Sequence, residues 1–146
     1  MRFMMMVRAN RDSEAGVMPR EELFAAMGKY NEELVKAGVL LAAEGLHPSS
    51  RGTRVRFSGQ QRSVVDGPFP EQELIAGFWL IQVKSKEEAI EWARRCPNPM
   101  EGESEIEIRQ VLEAEDFGDC LASELRQQEE RLRAQSAEQQ RKAARR

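Results

Sequence analysis

Apolar residues follow one another from Phe3 to Val7, a run that suits a strand buried on both faces, and the polar stretch Ala9-Asn10-Arg11-Asp12-Ser13 ends it. Beyond a loop the period changes. Leu23, Met27, Tyr30 and Leu34 recur at steps of four, three and four, which predicts an amphipathic helix that Pro19 can open and Gly38 stops. Val39 to Ala43 reads as a second strand and runs into the polar loop Glu44-Gly45-Leu46-His47-Pro48-Ser49-Ser50. Thr53 to Ser58 and Arg62 to Val65, around Gly59-Gln60-Gln61, predict a hairpin that leads directly into Asp66-Gly67-Pro68-Phe69.

Ile75 to Val83 carries Phe78, Trp79 and Ile81 and predicts a strand near the sheet centre, with Gly77 marking a bulge or a close backbone approach. Ser85-Lys86-Glu87-Glu88 has the spacing of a capping box, and the helix it opens buries Ala89, Trp92, Ala93 and Cys96 before Pro97. Ile106 and Ile108, with Val111, alternate with Glu105, Glu107 and Arg109 in a half-buried last strand. From Leu121 to Ala144 a thin stripe of Leu121, Leu125 and Leu132 on a charged background predicts a helical tail. Residues 1–119 are therefore expected to form the domain and residues 120–146 the tail.

Strand, helix, strand, hairpin, strand, helix, strand is a doubled β-α-β order. It predicts an α+β fold of the ferredoxin-like plan, an antiparallel sheet with two helices packed on one face. The inner strands are apolar on both sides, so the other face needs a cover, and a homodimer that presses two sheets together is the simplest one.

Composition narrows the classes. The chain is 146 residues long, 40% hydrophobic and 32% charged, a size and balance that suit one globular domain. No apolar run reaches the roughly 18 residues of a membrane span, and the apolar stretch before Arg8 is too short for a signal peptide, so the expected location is cytoplasmic. From Leu121 onward seven basic residues face four acids, a charge of +3, whereas 15 basic residues face 21 acids in the body, a charge of −6. A body of that sign repels nucleic acid, and the tail has no aromatic residue to stack a base. Cys96 and Cys120 have neither disulfide-framework nor zinc-ligand spacing. No metal site, phosphate-cradling loop, nucleophile-with-base motif or cofactor is expected.

The candidate chemistry gathers around Asp66. Local turn chemistry explains each residue of Asp66-Gly67-Pro68-Phe69, yet a carboxylate at a strand end beside a glycine is also open to a ligand's approach. His47, the single histidine, stands in another loop at a strand end and is a candidate proton shuttle, while Glu44 and Glu71 could flank the same cleft. Asp66 and His47 are thus the catalytic candidates, and Gly67, Pro68, Phe69, Glu44 and Glu71 the binding candidates.

Asp66-Gly67-Pro68-Phe69 with Glu71, Gly77-Phe78-Trp79-Leu80, Glu87-Glu88-Ala89 to Trp92-Ala93, and Ile106-Glu107-Ile108-Arg109 together resemble the DGPF branch of the YCII-related proteins, from Met4 to about Phe117. The resemblance implies a ferredoxin-like α+β fold, dimers formed by sheet packing as in the dimeric α/β barrels, and a family in which most members have no established activity. Two departures stand out. Pro70-Glu71-Gln72-Glu73 replaces a Glu-Thr-Lys-Glu-like stretch and lacks its lysine, and the first helix has Tyr30 and Asn31 where the YCII branch proper is thought to use a histidine. Of the family's residues only Asp66 carries over.

Two functions are then expected from different classes. One is a cofactor-independent acid–base enzyme of lyase, isomerase or dehalogenase type, acting on an unknown small molecule through Asp66 with His47. The other is a non-catalytic regulatory or interaction module, since the resembled branch includes relatives associated with sigma factors and the tail offers a helix to a partner.

Overall fold

The computed structural model describes residues 1–146 and divides the chain into two compact units, Met1–Val111 and Leu112–Arg146. The first unit holds strands β1 (Arg2–Arg8), β2 (Leu40–Gly45), β3 (Thr53–Ser58), β4 (Gln61–Asp66), β5 (Ile75–Gln82) and β6 (Ile106–Gln110), and helices α1 (Arg11–Glu14), α2 (Glu21–Lys36) and α3 (Lys86–Arg95). Four strands form one antiparallel sheet in the order β2-β5-β1-β6, which is the expected ferredoxin-like arrangement. β3 and β4 pair only with each other, as a separate hairpin whose side chains are all exposed.

Register explains the core. Phe3 lies opposite Ile81 and Met5 opposite Trp79, so these side chains share one face of the sheet. They are buried with Tyr30 and Leu34 of α2 and with Ala89 and Trp92 of α3. Trp92 and Tyr30 meet edge to face, Tyr30 does the same with Trp79, and the Tyr30 hydroxyl donates to the carbonyl of Trp92 at 2.7 Å. Burial pushes the phenol of Tyr30 well above its ordinary range. Burial likewise pushes the Cys96 thiol up to about 12. The opposite face of the sheet presents Met4, Met6, Phe78 and Leu80, all half-buried, with Glu107 and Arg109 of β6 beside them.

Several local readings shift when seen in three dimensions. The polar residues after β1 form α1, a four-residue helix in which Asn10 and Ser13 cap each other reciprocally. Pro19 does not open α2. The extended Arg20 is the N-cap, and its carbonyl accepts from the amides of Leu23 and Phe24. Ser85 does cap α3 through the Glu88 amide at 3.1 Å, but the Glu88 carboxylate accepts from the amide of Lys84, one residue earlier than a capping box requires. The second unit contains α4 (Ser123–Ala144), preceded by a kinked 3₁₀ segment, and α4 has no buried residue. Its i, i+4 pairs Glu129–Arg133 and Glu138–Lys142, each at 2.8 Å, support it on its own surface.

Candidate functional site

The turn after β4 is held from three sides. Thr53, opposite Asp66 in the hairpin register, donates its hydroxyl to Asp66 Oδ1 at 2.9 Å, so the exposed carboxylate ties the two strand ends together. Gly67 donates its amide to the carbonyl of Gly52 at 2.9 Å, and Phe69 donates its amide to Ser49 Oγ at 2.9 Å. The buried Ser49 in turn donates both its amide, at 2.9 Å, and its hydroxyl to the carboxylate of Glu14. One serine therefore joins the end of α1, the loop after β2 and the turn. Arg54 stacks its guanidinium 3.9 Å from the centre of the Phe69 ring and pairs with Glu73 at 3.1 Å.

Gly67 has a steric reason. A Cβ built there would stand 1.8 Å from the carbonyl oxygen of Ser49, well inside the closest approach that real side chains make. The glycine thus serves the docking of two backbones, with φ outside the left-handed region. Pro68 follows through a cis peptide, and Glu71 opens a single 3₁₀ turn, Glu71–Glu73.

A cavity of about 960 Å³ lies elsewhere in the same unit, between the sheet and the segment that joins α1 to α2. Val17, Leu23, Phe24, Met27, Trp79 and Met100 are among its apolar walls. At one end β2 and β5 offer a pair of glycines, because Gly45 lies opposite Gly77 in the register. A Cβ at Gly77 would come within 2.8 Å of the Glu44 carbonyl, which confirms the close backbone approach expected there. Most polar groups in the walls are already committed: Asn98 bonds Gly102, Met100 and Ser104 within its loop, and Arg20 pairs with Glu101 at 2.8 Å.

His47 and Glu44 belong to the lining, whereas Asp66, Gly67, Pro68, Phe69 and Glu71 do not. No hydrogen bond links His47 to Asp66. The exposed imidazole instead lies 3.1 Å from Arg51 Nη1, and because a guanidinium only donates, the ring must offer it a lone pair. The sequence reading missed Glu14 and Ser49, which fix the turn, and also Asn31, which accepts from Trp79 Nε1 at 2.8 Å in the cavity wall. Asn31 had a visible signal. It stands one turn after Met27 and next to Tyr30, at the edge of the apolar stripe of α2, a polar residue of modest helix propensity in the middle of the helix.

An antiparallel sheet with its helices on one face and a cavity between the sheet and the α1–α2 segment make a small α+β scaffold. The model of the YCII-related domain matches residues 1–115, and the chain belongs to that family. It is also similar to the Uncharacterized protein R00369 of Rhizobium meliloti (strain 1021), with 35% identity over 89 residues, which span 60% of this chain and 68% of that protein.

Proposed function

We propose that the domain binds a small organic molecule in the cavity between the sheet and the α1–α2 segment. The observation that carries this reading is the cavity itself, with a volume suited to a drug-sized ligand and apolar walls interrupted by polar side chains such as Asn31 of α2. An acid–base role for Asp66, with His47 assisting, is a separate reading, because Asp66 stands outside the cavity lining to which His47 belongs, and it predicts a different outcome in one experiment.

That experiment is a thermal-shift screen of a small-metabolite library on the wild type, Gly45→Val and Asp66→Asn. Gly45→Val adds bulk to the cavity wall, and Asp66→Asn removes only the turn's charge. A compound that stabilises the wild type and Asp66→Asn but not Gly45→Val supports binding in the cavity alone. One that is also lost in Asp66→Asn brings the turn into the site. Absence of any stabilising compound, or equal stabilisation of all three proteins, counts against the reading.

We further propose that two copies pair through the open sheet face. Met4, Met6, Phe78 and Leu80 offer it an apolar centre, and Arg8, Glu107 and Arg109 put both signs of charge at its side, as a two-fold contact requires. Sedimentation of the wild type as a dimer and of Met6→Glu as a folded monomer is the expected result. A monomeric wild type at micromolar concentration would remove this part of the proposal.

A further inference from the structure

We propose that Asn31 is the polar anchor of the cavity and that the ligand is a neutral molecule with an apolar, ring-sized body and a carbonyl-type acceptor oxygen. The inference rests on the cavity-binding reading and specifies its chemistry.

The argument begins with the amide's orientation. An indole N–H can only donate, so the Asn31 atom 2.8 Å from Trp79 Nε1 must be the carbonyl oxygen. Trp79 is itself fixed, being buried and in edge contact with Tyr30. The indole therefore locks the amide with its NH2 turned away from the tryptophan, and no group of the chain accepts a hydrogen bond from it. Both residues line the cavity, on two different elements, α2 and β5. A donor set in an apolar wall and held by a buried ring is the arrangement that selects for an acceptor, because a ligand lacking one leaves the donor unpaired.

Charge narrows the class further. Four carboxylates line the cavity, Asp12, Glu22, Glu44 and Glu101, against one arginine, Arg20, which is already paired with Glu101. A field of that sign disfavours a carboxylate ligand. Neighbouring apolar walls from Phe24, Met27 and Met100 suit a ring or a short aliphatic body.

Three probes of nearly one shape test this: 2-acetylnaphthalene, 2-isopropenylnaphthalene, in which a methylene replaces the carbonyl oxygen, and 2-naphthoate. Dissociation constants come from NMR titration of the full chain and of Asn31→Asp and Asn31→Ala, with the Asn31 side-chain amide resonance followed in the wild type. Asn31→Asp keeps an acceptor for Trp79 and removes the donor. Expected are a ketone bound about tenfold more tightly than the alkene, one good hydrogen bond's worth, and naphthoate bound most weakly of the three. In both variants the ketone's advantage falls to about onefold while the alkene's affinity stays within about twofold. The Asn31 amide resonance moves with the ketone and not with the alkene, a readout that does not depend on either variant folding. Equal binding of ketone and alkene to the wild type, an advantage that survives in Asn31→Asp, or naphthoate as the tightest probe overturns the inference while leaving the cavity reading intact. Failure of all three probes to bind removes that reading as well.

Discussion

Replacing Gly67 by alanine tests how the turn is built. The added methyl carbon starts 1.8 Å from the Ser49 carbonyl oxygen and 2.8 Å from its carbon, and backbone cannot rotate aside as a side-chain tip can. To reach even 3.0 Å, the two segments must separate by more than 1 Å. Forced separation of packed groups costs about 1–3 kcal/mol, occasionally more. The same movement breaks or lengthens two bonds across the junction, Gly67 to Gly52 and Phe69 to Ser49, each worth about 1 kcal/mol net. Together they give a loss of roughly 3–5 kcal/mol, a large share of the 5–15 kcal/mol typical of a domain. Urea denaturation followed by tryptophan fluorescence measures it, and hydrogen exchange shows where it falls. Because β3 and β4 pair only with each other, the hairpin amides should lose protection first, ahead of β1 and β5. Gly28→Ala is the control: it lies within α2 with nothing within 4 Å of its added carbon and should stabilise by about 0.5–1 kcal/mol. A Gly67→Ala protein within about 0.5 kcal/mol of the wild type, with unchanged hairpin exchange, would refute the steric account.

Other outcomes follow from the same structure. Ser49→Ala removes the acceptor for the Phe69 amide and a donor to Glu14, and should cost about 1–3 kcal/mol in urea melts. Tyr30→Phe leaves the Trp92 carbonyl without its partner and should cost about 1 kcal/mol or more, whereas a neutral result would mean that the carbonyl finds water. Cys96 and Tyr30 both have acid forms that the fold holds protonated, so the stability they contribute is complete below their ordinary pKa values and declines as pH rises through them. Stability should therefore fall from about pH 9 upward, less steeply in Cys96→Ser; an identical slope in that variant would contradict the thiol's share. At pH 8 iodoacetamide should label the exposed Cys120 at least about tenfold faster than the half-buried Cys96, as read by peptide mass spectrometry.

The scaffold was legible, α1 apart, because the strands and longer helices advertised themselves at their own periods. Phe3 to Val7 showed a strand, though only Phe3, Met5 and Val7 are buried and Met4 and Met6 are half-buried on the other face, and the recurrence of Leu23, Met27, Tyr30 and Leu34 showed the inward face of α2. Gly77 was also legible as a close approach, since a glycine among aromatic strand residues is costly unless backbone needs the room. The connections between Glu14, Ser49 and Phe69 were not. They join positions 35 and 20 residues apart through one serine, and serine in a polar loop looks the same whether it is solvated or is the centre of a network. The cavity was hidden for a related reason: Val17 and Phe24 look like surplus apolar residues until the α1–α2 segment is folded over the sheet. Asp66 drew attention as a free carboxylate because its partner, Thr53, is 13 residues earlier and becomes its neighbour only through the hairpin register.

The two glycines that face each other across β2 and β5 are unequal in what they permit. Gly77 is pinned, since any side chain there collides with the Glu44 carbonyl, but an added carbon at Gly45 meets nothing within 4 Å. One side of the pair is therefore a fixed hinge of the architecture and the other an adjustable stop. Related chains that handle ligands of different size could change the depth of this chamber by a single substitution at Gly45, with the sheet beneath it left undisturbed.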